Sequence, residues 1–149
     1  QEITERGKEK ARIKAKKLIE RYGEPDIVYC SPMMRARQTL HEMLKYVNKK
    51  PKIIIDNRVS RYFSSREKSD ASIFTINKKE RIPIEESYDS FKERCDMFLK
   101  SMMRRRYIKS KSKVVWVLTH TLVIKRVTRK IGMNINPYLS FLQHYRLRY

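Results

Sequence analysis

Cysteine is scarce: the chain of 149 residues has two, Cys30 and Cys95. They lie far apart in apolar periodic segments, no Cys-x-x-Cys occurs, and His41, His120 and His144 show no metal-ligand spacing with a cysteine or with each other. This argues against a disulfide framework and a clustered metal site. The cysteines read as buried thiols in a reducing compartment, so the expected location is intracellular, cytoplasmic by default with an organellar matrix also open, and no metal or cofactor is expected. Long apolar runs are lacking too. None approaches the ~20 residues that span a bilayer, and the N-terminus has no signal-peptide pattern. No segment repeats. Acidic residues are few, 16 Asp plus Glu against 36 Lys plus Arg, which leaves a formal net charge of +20. A field of that sign suits an acidic counterpart, whether nucleic acid, a phosphorylated partner, an anionic membrane face or an acidic protein, and does not choose among them. General lysine richness is the plainer explanation. The chain starts at Gln1. An initiator Met is normally trimmed only before a small residue, so the natural polypeptide is expected to begin upstream.

What is present is an alternation of helix and strand. Thr4 suits an N-cap, and Ala11, Ala15, Leu18 and Tyr22 give the three-and-four spacing of a buried stripe up to Gly23. "DIVYC" (26–30) lacks polar alternation, as a parallel strand covered on both faces does. A helix over about 33–47 carries Ala36, Leu40, Met43 and Val47 on one face, and "KIII" (52–55) is a second buried strand. Periodicity then fades from 57 to 87, about 30 residues, long enough to suggest an active-site excursion. Phe91, Cys95, Phe98 and Met102 mark a third helix from Tyr88, and "VVWVL" (114–118) is the most hydrophobic strand. Val123, Val127 and Ile131 stripe a fourth helix closed by Gly132, and Tyr145, Leu147 and Tyr149 alternate like an edge strand. The expected fold is α/β, one domain with a mostly parallel sheet and helices on both faces.

In open α/β sheets ligands sit beyond the carboxyl ends of the strands. Two strand ends here carry suitable groups: Ser31 with Arg35 after the first, and Thr119 with His120 after the last full strand. Arg35 lies near a helix N-terminus, where backbone N–H groups and the dipole favour an anion and a guanidinium adds a bidentate fork for phosphate oxygens. His120 has an unperturbed pKa near 6.5, so its surroundings decide whether it donates or stays neutral. Separately, "RRRYIKSKSK" (104–113) and "KRVTRK" (125–130) gather Arg104, Arg105, Arg106, Lys109, Lys111, Lys113, Lys125 and Arg126. If these share one surface they form a footprint for RNA, DNA or an acidic protein, with Tyr107 free to stack on a base. No RNP, KH or zinc-finger signature specifies a mode, and solvated helix ends explain the same residues.

"ITERG" (3–7), "YCSPMMRARQT" (29–39), "DNRV" (56–59) and "VLTHTLVI" (117–124) occur in an order that resembles the histidine phosphatase, or phosphoglycerate mutase-like, superfamily. The resemblance covers nearly the whole chain, and its S-P-x-x-R-A-x-Q-T element is the specific part. It implies a phosphoglycerate mutase-like fold, with Arg35 clamping a phosphoryl group, His120 as the second, supporting histidine, and Ser31 in the same phosphate pocket.

The departures matter as much. The family's nucleophilic histidine lies in an Arg-His-Gly motif at the end of a first strand, and no such motif occurs in these residues. The missing strand is expected to leave a gap beside "VVWVL" exposing apolar edges. Where the family often has a proton-donating glutamate this chain has Arg61, which cannot act as a general acid near neutral pH. Glu67 is the leading substitute, with Asp70, Glu80, Glu85 and Glu86 as others in the long loop. Thr121 replaces the glycine that usually follows the histidine. Two functions follow. One is phosphomonoester hydrolysis, on a small molecule or a protein, through a phosphohistidine whose nucleophile lies upstream. The other is a catalytically lapsed, strongly basic structural or binding subunit of a large assembly, such as a ribonucleoprotein.

Overall fold

In the computed structural model, residues 2–62, 86–104 and 114–132 are described. Helix α1 (Glu5–Tyr22) starts where Thr4 Oγ1 accepts the Gly7 N–H at 3.1 Å, and ends at Gly23, whose φ of 89° lies in the region glycine tolerates best. Strand β1 (Ile27–Cys30) follows, then helix α2 (Met34–Leu44), strand β2 (Lys52–Ile55), a 3-10 turn (Asn57–Val59), helix α3 (Tyr88–Arg104), strand β3 (Val115–Leu118) and helix α4 (Thr121–Lys130). The expected helix over 33–47 is shorter by three residues at its C-terminal end. There the chain tightens into turns in which the Tyr46 N–H donates to Met43 O and the Val47 N–H to Leu44 O.

The three strands form a parallel sheet in the order β2-β1-β3. Cys30 stands level with Ile55 on one side and Leu118 on the other, so all three strands end together. Successive side chains of β1 point to opposite faces, and both faces are covered. Val28 and Cys30 join Ala11, Ala15, Ala36, Leu40, Met43 and Trp116 in the layer under α1 and α2. Tyr29 joins Val59, Phe91, Cys95, Phe98, Leu99, Met102, Val123 and Val127 in the layer under α3 and α4. This double burial explains why "IVYC" shows no polar alternation. Each fully buried Val or Phe of these layers contributes about 1.5–3 kcal/mol.

Ion pairs clip neighbouring helices. Arg12 Nε reaches Glu42 Oε2 at 3.0 Å between α1 and α2, and Arg126 holds Asp96 with two bonds of 2.9 and 2.7 Å between α4 and α3. Among the described residues β3 forms one edge of the sheet. The expected C-terminal strand (Tyr145, Leu147, Tyr149) and most of the long loop lie outside the described residues. No helix among those described is long and apolar enough to cross a membrane.

Candidate active site

The common ending of the strands brings three short segments together: Ser31 after β1, Asp56 to Arg61 after β2, and Thr119 with His120 after β3. Backbone bonds lock the segments side by side. The Ser31 N–H donates to Leu118 O at 2.9 Å and the Asp56 N–H to Cys30 O at 3.0 Å. Thr119 Oγ1 donates to Val59 O at 2.5 Å, which ties the turn after β2 to the residue preceding His120.

His120 is the N-cap of α4, and its carbonyl accepts the Ile124 N–H at 3.0 Å. Its Nε2 lies 2.7 Å from Ser31 Oγ, which also accepts the Met33 N–H at 3.3 Å. Ser31 is wholly buried. A hydroxyl with that backbone donor on one lone pair has its proton available for the imidazole. When Ser31 donates to Nε2 of a neutral imidazole, the ring proton resides on Nδ1.

The electrostatic setting of His120 is one-sided. Burial, then the guanidiniums of Arg61, Arg94 and Arg35, lower its pKa to about 4. Its position at a helix N-terminus opposes the imidazolium as well. His120 is therefore a neutral imidazole at neutral pH. Because the folded-state pKa lies below the unfolded value of ~6.5, the fold binds fewer protons than the unfolded chain between those limits. The associated stability is complete above pH ~6.5 and is lost as pH falls toward 4, by at most about 3 kcal/mol. Urea midpoints followed from pH 7.5 to 4 should accordingly fall more for the native protein than for His120→Gln, and parallel pH profiles would refute the assigned environment.

The three arginines are held differently. Arg35 occupies the second position of α2 and is exposed. Arg61 is half-buried, just beyond the 3-10 turn. Arg94, on α3, is almost enclosed and had no place in the sequence-based site. Its Nε and Nη2 donate to Glu86 Oε2 at 3.0 Å and Oε1 at 2.6 Å, its Nη1 to Arg58 O at 3.0 Å and Ser60 O at 2.8 Å, and its Nη2 also to Arg61 O at 2.6 Å. All five guanidinium hydrogens are thus engaged. Arg94 is the bracket that shapes the turn carrying Arg61. Arg58 is also bound inward, forked onto Asp56 at 2.7–3.2 Å.

The structure thus brings together Arg35, Ser31 and His120, and adds Arg61 and Arg94. It withdraws two expected roles. Glu86 is no substitute proton donor, since both of its oxygens hold Arg94 and its side chain is 1% exposed. Arg126 is not a free member of a basic footprint, since its fork is spent on Asp96. Arg104 is exposed at the end of α3 and Lys125 is half-buried on α4. Arg105, Arg106, Tyr107, Lys109, Lys111, Lys113, His144, Glu67, Asp70, Glu80 and Glu85 lie outside the described residues. His41 is exposed on α2.

In comparisons with solved structures, the fold is similar to that of a phosphoglycerate mutase from Plasmodium falciparum, at 20% identity and a TM-score of 0.59, over 89% of this chain and 71% of that one. It is also similar to an ecdysone phosphate phosphatase from Bombix mori in complex with tungstate, at 13% identity and a TM-score of 0.65, over 95% of this chain and 63% of that one. The product of a Mycobacterium tuberculosis open reading frame shares 20% identity at a TM-score of 0.60, over 89% of this chain and 68% of that one. The chain thus spans about two thirds of the length of these structures. No curated protein sequence matches it. The family described as the Histidine phosphatase superfamily (branch 1) matches residues 1–145. The cluster at the strand ends, with its arginine after β1 and its histidine after β3, is therefore found in a chain that belongs to the histidine phosphatase superfamily.

Proposed function

We propose that the cluster at the strand ends receives the phosphoryl group of a phosphomonoester, and that the protein is a phosphatase whose attacking histidine is supplied from outside these 149 residues. The observation that carries this reading is His120 seated on the buried Ser31 at 2.7 Å where the parallel strands end together, in a field of guanidiniums, Arg61, Arg94 and Arg35, that lowers its proton affinity. Such a pocket is poised for an anion. Arg35 grips two phosphoryl oxygens, His120 donates to a third, and Ser31 fixes the imidazole. As the phosphoryl group passes between oxygen and imidazole, these preorganised donors stabilise its equatorial oxygens. The attacking group forms a phosphohistidine, which water then cleaves. Glu67 is our candidate for the carboxylic acid that protonates a poor leaving group.

The proton balance supplies the test. A bound oxyanion exchanges the repulsion felt by His120 for attraction, so its pKa rises on binding. Titration near pH ~5 with sulfate, an oxyanion with no ionisable proton of its own in that range, should therefore take up close to one proton, detected as a dependence of the binding heat on buffer ionisation enthalpy, and uptake should fade at higher pH. Arg35→Ala should weaken binding at least about tenfold at matched salt. An oxyanion affinity untouched by that substitution overturns the assignment.

A further inference from the structure

One flank of α1 carries charge that the fold does not use. A helix turns about 100° per residue, which places Arg6, Lys10, Lys14, Lys17 and Arg21 within an arc of about 80°. At about 1.5 Å of rise per residue that row is about 22 Å long. Arg6, Lys10, Lys17 and Arg21 are exposed, and Lys14 is half-buried where the arc borders the packed side of the helix. No acidic residue of α1 falls in the arc. Glu5 and Glu9 lie round the helix, where Glu5 meets Lys8 at 2.6 Å and Glu9 meets Arg12, which in turn holds Glu42 of α2. Among the described residues no ion pair holds Arg6, Lys10 or Lys17. Burial, then the charge of Lys17, lowers the proton affinity of Lys14. At the far end of the row a recess of about 370 Å³ is lined by Lys17, Leu18, Glu20 and Arg21.

We propose that this flank of α1 binds the phosphate backbone of double-stranded nucleic acid, without reading its sequence. Each strand of a duplex advances about 3.4 Å per phosphate, so a row of about 22 Å runs beside about six of them. A rigid line of cations thereby meets a rigid line of anions, and the counterions released from the duplex drive the association. What the row lacks separates this partner from others. The arc holds no aromatic ring, whereas single strands are gripped by stacking their bases on such rings, and a duplex keeps its bases inside. Ile13, 45% exposed beside the row, is too little for the apolar centre of a protein interface. A bilayer is disfavoured for a related reason. An interfacial helix sinks its apolar face into lipid, and that of α1 is spent on the sheet through Ala11 and Ala15. The surface stands apart from the cluster at the strand ends and does not depend on how that cluster is read.

The experiment follows the fluorescence anisotropy of a short labelled DNA duplex of mixed sequence across a series of salt concentrations. For the native protein the logarithm of affinity should fall against the logarithm of salt with a slope of about −4, as for four to five neutralised phosphates. The triple variant Arg6→Gln, Lys10→Gln, Lys17→Gln should lose at least about tenfold in affinity at low salt, and its slope should shrink by about one for each cation removed. The charge-keeping variant Arg6→Lys, Lys10→Arg, Lys17→Arg should retain both. Each single substitution to Gln should cut the slope by about one, which keeps the test independent of any loss of fold in the triple variant. Lys100→Gln, Arg104→Gln, Arg129→Gln removes the same charge from exposed positions of α3 and α4, across the sheet, and should change affinity less than about threefold. An equal loss in that control set overturns the proposal, since binding then reflects net charge and not the row. So does a native protein that leaves the duplex unbound, or one that prefers phosphatidylserine vesicles or polyglutamate to the duplex at matched salt.

Discussion

Arg35→Ala and His120→Ala should each slow phosphomonoester hydrolysis by the complete natural chain by about 10² to 10³, the scale seen when one preorganised charge-stabilising donor is removed. The loss should appear mainly in kcat, because the grip that matters is on charge shared among oxygens in transfer. Residues 1–149 alone should show no phosphohistidine-dependent turnover. His120 is committed to Ser31 through Nε2, His41 is exposed on α2, and none of the three histidines follows an arginine as the family nucleophile does, His41 following Leu40, His120 Thr119 and His144 Gln143. Glu67→Gln should slow hydrolysis of an alkyl phosphate more than that of an activated aryl phosphate, which needs less help from an acid. A steady-state assay with trapping of the phosphoenzyme checks all of these outcomes. A complete chain that neither turns over nor becomes phosphorylated across a broad phosphoester panel would favour the alternative of a basic structural or binding subunit.

Arg94→Ala is expected to cost about 3–5 kcal/mol of stability, as removal of one partner of a buried ion pair does. The substitution leaves the Glu86 carboxylate enclosed without its counter-charge and three carbonyls of the 58–61 turn without their donor. The cation held 4.8 Å from the centre of the Phe91 ring is lost as well. Arg94→Lys restores the charge but not the five-donor fork, so it should recover only part of the loss. The double variant Arg94→Met, Glu86→Leu should be more stable than Arg94→Met alone, because it removes the stranded charge along with its partner. Chemical denaturation of the set measures this. A stability of Arg94→Ala within about 1 kcal/mol of the native protein would mean that water or a rearranged neighbour replaces the bracket at little cost.

The fold and the site were legible in the sequence to different depths, for reasons that particular residues make plain. β1 and β3 declared themselves because helices cover both of their faces, β1 closely and β3 in part, whereas "KIII", expected as a second buried strand, has Lys52 and Ile53 exposed, since β2 lies at the sheet edge. Arg35 and His120 could be found because each follows a strand within a few residues, and a strand end is where a parallel sheet opens. Arg94 could not be found this way. Its carbonyl partners lie 33 to 36 positions away, and the position is one more arginine in a chain rich in them. The usable hint was its place among Phe91, Cys95 and Phe98, on a helix face where a charged group needs a partner. Glu86 misled for the same reason. A carboxylate in a polar loop reads as available, and only the tertiary structure shows both of its oxygens taken.

The two cysteines sit on opposite sides of the sheet, Cys30 in the layer beneath α1 and α2 and Cys95 in the layer beneath α3 and α4. Burial raises their thiol pKa values to about 12 and about 11, and the thiolate is the reactive species. Alkylating reagents must therefore wait for each layer to open. The chain contains two native clocks, one for each face of its sheet, whose labelling rates separate a peeling of one helical layer from collapse of the whole. Equal rates at the two sites would mark cooperative unfolding. Faster labelling of Cys95 would mark the layer around the candidate pocket, which α3 and the turn after β2 share, as the softer half of the molecule.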